Sequence, residues 1–377
     1  MTEYQQVSSK PIRVLQFLPS LAKSAGMVNV ILNYYKHMDL NKVHMDFIYL
    51  NEVEPSFRAE LEARGSLCCQ VSIQKKEGVS TLKEFFGKHI GQYDILHCHP
   101  IFGPELLGGM AKRAGIKRVI VHSHSSRFSE KKVSAIRNRL LSTFVGFFAT
   151  DYFACSDSAR VLLGNRGKDA YLVRNAIDCE KYSFKAEYRR EIRDELGIEN
   201  DTWFIGTLGR LSYEKNQKFM IDLVAELRKR GHKVKLGIAG DGDLLPDLQS
   251  SVREMRLEDD VLLLGSRNDG EKLYSAFDMF LLTSLFEGLP VSAVEAQCSG
   301  LPCLLSDSIT KEVAFGAVKY LPLDNQGEWI QAIVQQMKLD KPERSRAYLC
   351  VSENGYGIGE QAIRLQNKYQ AIVQDAY

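Results

Sequence analysis

Two basic side chains five residues apart, Arg210 and Lys215, lie in the loop that follows the run Phe204-Ile-Gly-Thr-Leu-Gly209. Gly206 and Gly209 let backbone approach a ligand closely. A guanidinium grips phosphate oxygens as a fork and an ammonium adds a point charge, so the pair suits a diphosphate. The G-x-x-x-x-G-K-[ST] spacing of a P-loop is absent. A second block runs from Met279 to Pro302: an apolar strand, the turn Glu287-Gly288-Leu289, then Pro290 and a helical stretch that carries Glu295. Pro290 suits the first helical position, where its missing N–H costs nothing. Gly300 and Pro302 end the helix. The amides of Gly288 and Leu289, at a helix N-terminus, would draw a phosphate or a sugar oxygen. Glu287 is placed to hold a sugar hydroxyl and Glu295 a ribose diol. The plainer alternative makes both of them solvated carboxylates on a helix face.

Four of the eight histidines fall in His97-Cys-His99 and His122-Ser-His124, and each pair closes a strand pattern. Alternate residues on a strand face the same way, so a metal site is one reading. No Asp or Cys completes a ligand set at a familiar spacing, and no metal is expected. For His97 and His122 the plainer reading is burial with hydrogen bonds. Asp241-Gly-Asp243 has the form of a metal-binding D-x-D, but after Ala239-Gly240 it reads as turn chemistry.

These residues need elements to hold them. Strand-like runs at Ile12–Leu18, Asp46–Leu50, Asp94–Cys98, Arg118–His122 and Tyr152–Cys155 alternate with helical patterns at Val28–His37, Ser80–Ile90 and Leu106–Ala114. The pattern pauses over the polar stretch Asn175–Asn200. It restarts with strands at Trp203–Leu208, Val234–Ala239, Val261–Leu264, Met279–Thr283 and Cys303–Ser306, and with helices at Gln217–Arg230, Leu244–Met255 and Pro290–Ser299. Such alternation predicts parallel sheets with helical crossovers. The expected organisation is a doubly wound domain over residues 1–183, a second over 184–355, and a closing helix over 356–377 that packs back on the first. Open α/β sheets bind ligands beyond the carboxyl ends of their strands, so two facing domains predict a site in the cleft between them. A chain of 377 residues has room for two such cores. Lys+Arg 49 against Asp+Glu 47 gives no basic excess, so no nucleic-acid partner is expected. The eight cysteines form no C-x-x-C pair and read as reduced thiols. No apolar run reaches the roughly 20 residues of a spanning helix, so a cytoplasmic protein is expected, at most peripheral to a membrane.

The two chemical blocks resemble those of the retaining glycosyltransferases of family 4, which have the GT-B fold. Gly209–Asn216 is similar to that family's G-R-L-x-x-x-K-[GN] loop, and Glu287–Glu295 to its E-x7-E motif. Val173-Arg-Asn-Ala-Ile-Asp178 resembles the N-G-I-D junction, with Ala176 where Gly is usual. Ile238-Ala-Gly-Asp-Gly242 resembles the G-D-G turn, and Pro322-Leu-Asp324 the late P-x-D turn. The segment Val121-His-Ser-His-Ser125 is like that of bacterial capsule and exopolysaccharide enzymes. Of the Gly-Gly pair that often follows the family's first strand, only Gly26 is clear in Lys23-Ser-Ala-Gly-Met27.

The resemblance implies transfer of a hexosyl or N-acetylhexosaminyl group from a UDP-linked nucleotide sugar to the hydroxyl of a glycan or lipid-linked glycan, in surface polysaccharide synthesis. The nucleotide sugar is a substrate, so no cofactor is implied. It assigns Arg210, Lys215, Glu287 and His124 to catalysis. Gly26, Gly209, Arg267, Gly288, Leu289, Pro290 and Glu295 would contact the donor, and His97 and His99 would shape the acceptor side. A sugar-nucleotide epimerase of the same fold, or a non-catalytic partner subunit, are the competing readings. Lys131, Lys132, Arg137 and Arg139 precede Leu140, Leu141, Phe144, Phe147 and Phe148 at helical spacing. That is either a core helix with a basic edge or a helix drawn to anionic lipid.

Overall fold

The computed structural model describes residues 10–23, 25–71, 76–124, 145–339 and 342–375. The chain forms two compact units: Met1–Ala176 with Ile358–Tyr377, and Ile177–Gly357. The division falls at Ala176 rather than at residue 183. The intervening segment belongs to the second unit because Ile177 pairs with Gly357 and the Cys179 thiol donates to the Tyr356 carbonyl at 3.6 Å.

The first unit holds strands β1 (Ile12–Ser20), β2 (Val43–Asn51), β3 (Cys68–Gln70), β4 (Ile95–Cys98), β5 (Arg118–Ser123), β6 (Asp151–Ala154) and β7 (Tyr171–Leu172). They make one parallel sheet in the order β3-β2-β1-β4-β5-β6-β7. Central strands of such a sheet are covered on both faces, which is why they are apolar without alternation. Val14, Leu15, Phe17 and Leu18 of β1 are all buried. The last helix, Ile358–Gln374, buries Ala362, Leu365, Tyr369 and Ile372, and the Gln366 side chain accepts from the Asp39 amide at 3.1 Å.

The second unit holds β8 (Trp203–Leu208), β9 (Val234–Ala239), β10 (Val261–Gly265), β11 (Met279–Leu282), β12 (Cys303–Ser306) and β13 (Val318–Leu321). These are parallel in the order β10-β9-β8-β11-β12-β13. Both expected doubly wound halves are therefore present. In each sheet the winding reverses beside its first strand, between β1 and β4 and between β8 and β11. Ligands of open sheets bind at the carboxyl edge of such a reversal.

The polar stretch Asn175–Asn200 is not a plain linker, since Ala186–Glu195 is a helix. Its inner face is arginine rather than leucine. Arg189 and Arg193 both reach the Asp278 carboxylate, at 2.7 and 3.1 Å, and also hydrogen-bond the Ala276 carbonyl. Among the described residues no helix is long and apolar enough to cross a membrane. All eight cysteines are free thiols.

Candidate functional site

The carboxyl ends of β8 and β11 flank the reversal of the second sheet, and they deliver the two blocks that the sequence singles out. Beyond β8 the chain turns at Gly209 into Arg210. The loop is tied to its neighbour by Gly209 N–H to the Ala239 carbonyl at 3.0 Å and Leu211 N–H to the Asp241 carbonyl at 2.9 Å. A Cβ on Gly240 would lie 1.9 Å from the Gly209 carbonyl oxygen, and one on Gly242 would lie 2.3 Å from that of Leu211. Glycine at both positions is what allows the loops to interlock. Asp241 accepts from the Gly242 amide at 2.8 Å, which is turn chemistry.

Lys215 and Glu287 meet: Nζ lies 2.6 Å from Oε1, and the side chains are 18% and 12% exposed. The Ser284 hydroxyl donates to the same Oε1 at 2.7 Å. Buried Thr283 donates to the Asn216 carbonyl at 2.9 Å, and the Leu285 amide to the Glu214 carbonyl at 2.8 Å. The two blocks are thus stitched together. Arg210 is exposed and makes no ion pair among the described residues, while its carbonyl accepts from Gln217 at 2.7 Å. The pair plus a free guanidinium forms a small cationic edge with one carboxylate already held.

Pro290 occupies the N-cap rather than the first helical position, and the helix runs over Val291–Cys298. Its backbone is extended there, with ψ 103°, and Val291 takes the first helical turn. Glu295 is not a solvated surface carboxylate. Tyr274, fully buried, donates to its Oε2 at 2.8 Å, and Tyr182 also hydrogen-bonds it. Burial raises the Glu295 carboxyl above the usual range, opposed by the two tyrosines. Tyr182 and Tyr274 carry no signal in the sequence, because isolated tyrosines 113 and 21 residues from Glu295 follow no spacing pattern.

Arg267 is engaged elsewhere. It lies past the end of edge strand β10, with Asp269 and Glu195 across its guanidinium at 2.7–2.8 Å. The expectation of a donor contact does not fit a guanidinium already paired with two carboxylates.

In the first unit, Gly26 opens the helix Gly26–Lys36 beyond β1, and a Cβ there would meet nothing within 4 Å. The four histidines cluster at the carboxyl edge of β4 and β5. His97, His99 and His122 are buried, at 2%, 5% and 3% exposed. His124 is partly exposed. Burial holds all four imidazoles below the ordinary value, His97 and His124 at about 3. His97 Nδ1 is 2.8 Å from the Tyr369 hydroxyl. His122 is buried without a hydrogen bond, contrary to the plainer reading of a satisfied core histidine. Nitrogens of His97, His99 and His122 lie within 4.8 Å of one another. The His97 ring is inclined only 24° to His99 and 19° to His122. Ring lone pairs lie in the ring plane, so near-parallel stacked rings aim them along parallel lines rather than at one ion. The cluster lines a cavity of about 20 Å³ with Gln16, Met45 and Tyr369, room for one water.

Residues 188–340 match the family model of group 1 glycosyl transferases. The putative glycosyltransferase EpsF of Bacillus subtilis (strain 168) is 30% identical over 380 residues, 96% of this chain and 97% of that protein. An Escherichia coli UDP-Gal:alpha-D-GlcNAc-diphosphoundecaprenol alpha-1,3-galactosyltransferase is 28% identical over 260 residues, 64% of this chain and 65% of that protein. In fold, the crystal structure of Anabaena Alr3699/HepE in complex with UDP matches with a TM-score of 0.77 at 17% identity, covering 96% of this chain and 100% of that one. The ordered motifs, the two sheets and the full-length relative agree: the chain belongs to the group 1 glycosyl transferases.

Proposed function

We propose that this glycosyltransferase moves a hexosyl or N-acetylhexosaminyl group from a UDP-linked donor, with retention, to a hydroxyl of a glycan or lipid-linked glycan in surface polysaccharide synthesis. The observation that carries this reading is the Lys215–Glu287 pair beside exposed Arg210 at the sheet reversal. The hard step is departure of the nucleoside diphosphate from the anomeric carbon. Arg210 and Lys215 neutralise the charge that develops, and the N-terminus of helix Val291–Cys298 adds its dipole. Glu287 holds the ammonium in place and offers its second oxygen to a sugar hydroxyl. No second carboxylate suited to attack was found in the sequence, so same-face attack assisted by the leaving phosphate is preferred. UDP in the HepE crystal structure and the diphosphoundecaprenol substrate in the name of the Escherichia coli relative support the donor and acceptor classes.

Two cations can serve where other glycosyltransferases use a metal. Slow hydrolysis of UDP-glucose, UDP-galactose or UDP-N-acetylglucosamine is expected to proceed in EDTA, followed as UDP release. A strict need for Mn²⁺ or Mg²⁺ overturns the metal-free reading. With Glu295 as the ribose contact, Tyr274→Phe raises the donor KM about 3–10-fold with little change in kcat, the worth of one hydrogen bond to a binding group. A fall in kcat at constant KM argues against that role.

The basic-apolar stretch Lys131, Lys132, Arg137 and Arg139 lies outside the described residues. At its border Phe147 is 81% exposed. Docking on anionic lipid through this stretch would bring the protein to a lipid-linked acceptor, and a core helix with a basic edge is the plainer alternative. Wild type should co-sediment with anionic vesicles at low salt, and the four-fold change of these residues to Glu should abolish it. Failure of wild type to bind at low salt points to a soluble acceptor.

A further inference from the structure

A buried amide holds the backbone of exposed Arg210. Gln217 opens the helix Gln217–Lys229 and is only 2% exposed. Its Nε2 donates to the Arg210 carbonyl at 2.7 Å. The amide cannot be reversed, since a carbonyl only accepts and the NH2 group must face it. The other end of the same peptide unit, the Leu211 N–H, donates to the Asp241 carbonyl at 2.9 Å. The peptide that follows the Arg210 Cα is therefore pinned at both ends, by the helix and by the Asp241 turn. The Arg210 guanidinium makes no ion pair among the described residues, so its direction is set by that backbone. The Gln217 Oε1 is buried and no described residue donates to it. Among the described residues of the second unit, the buried side-chain oxygens without a partner are this one and Glu214 Oε2, and both lie on the stretch from Gly209 to Gln217. An unpaired buried oxygen costs at least what one ordinary hydrogen bond returns. A methionine would fill similar space with nothing to satisfy, so stability alone does not call for an amide here.

We infer that Gln217 is a positioning residue for Arg210: its amide fixes the peptide that aims the guanidinium at the donor diphosphate, and the fold bears the cost of the orphaned oxygen. The inference rests on the reading of Arg210 as part of the phosphate grip and adds the group that aims it. Without the amide, the Arg210 carbonyl can turn to water, and the peptide is held from the Asp241 side alone. A charge that must meet a developing phosphate charge loses most of its worth when it is no longer preorganised. The helix that begins at Gln217 thus sets the donor loop as well as covering the sheet.

Two measurements on the full chain test it: a melting curve, and release of UDP from UDP-glucose, UDP-galactose or UDP-N-acetylglucosamine, whichever wild type hydrolyses fastest. Gln217→Met should lower kcat about 10–100-fold with the donor KM within about threefold. Its melting midpoint should stay at or above that of wild type, since the lost hydrogen bond is offset by the removed orphan oxygen. In an Arg210→Ala background there is no guanidinium to aim, and the same change should cost less than about threefold. Equal losses in the two backgrounds, or turnover above about half of wild type in Gln217→Met, overturn the inference. So does a midpoint lowered by more than about 4 °C, or a variant that does not fold, because the amide then serves the fold. Near-wild-type turnover in Arg210→Ala sinks instead the phosphate-grip reading. Absence of UDP release from all three sugars in wild type sinks the donor reading, and the melting curve still decides whether the amide serves the fold.

Discussion

Arg210→Ala and Lys215→Ala should each lower turnover by about 10²–10³-fold, the usual cost of removing one preorganised charge from a site where charge develops. The two variants should differ in a second respect. Arg210 is exposed and holds no ion pair among the described residues, so its loss leaves the thermal midpoint close to wild type. Lys215 is the cation of Glu287, whose side chain is only 12% exposed. Removing it takes the cation from a mostly buried carboxylate that also accepts from the Ser284 hydroxyl, and stability falls as well as turnover. Single-turnover release of UDP, read beside a melting curve, separates the effects. Near-wild-type turnover in both variants removes these residues from the phosphate grip. Glu287→Gln should also lower stability, because it leaves the Lys215 ammonium, only 18% exposed, without its carboxylate.

The largest effect on folding is expected at Asp278, far from the reacting groups along β11 but on the same strand axis. Its carboxylate takes Arg189 at 2.7 Å, Arg193 at 3.1 Å and the Phe204 amide at 2.9 Å. The side chains of Asp278 and Arg193 are 3% and 4% exposed. Asp278→Ala strands a buried guanidinium and should cost about 3–5 kcal/mol, read as a lowered urea midpoint at unchanged slope. Because Phe204 is the second residue of β8 and Asp278 precedes β11, the carboxylate clamps the starts of the two strands whose far ends lead to Arg210 and Glu287. A cost below about 1 kcal/mol would mean that the helix Ala186–Glu195 is held by packing instead.

The parts of the molecule that were legible in the sequence are those in which burial and element type coincide. Met279–Leu282 and Cys303–Ser306 are wholly buried strands, and their apolar runs say so directly. The loops after β8 and β11 could be read because Gly, Pro and charged residues interrupt that apolarity at the strand ends. The helix Ala186–Glu195 could not, since its anchor is an arginine pair and a single buried isoleucine, Ile192, and periodicity counts apolar residues. Edge strand β13, with only Leu321 buried, fails for the same reason. Among the site residues, Glu295 and Arg267 show the limit. Their neighbours, Tyr274 and Glu195, come from distant parts of the chain, and only the fold says that one carboxylate is cradled by tyrosines and one guanidinium is already occupied. The histidines were visible as pairs, but their rings' mutual tilt is a property of strands side by side.

The return of the last helix to the first unit bears on how the protein is made. Tyr369 holds His97, and Leu365 walls the cavity beside it. As the chain leaves the ribosome, the strands that carry these histidines are complete long before that helix exists, and the whole of Ile177–Gly357 is synthesised in between. The nascent first unit therefore waits with an apolar face open, exposed to chaperones or to aggregation, while the second unit can close on its own residues. A stop codon or a poorly chosen fusion joint near Ile358 would leave the donor-side motifs intact in sequence and spoil the histidine edge at the opposite end of the gene.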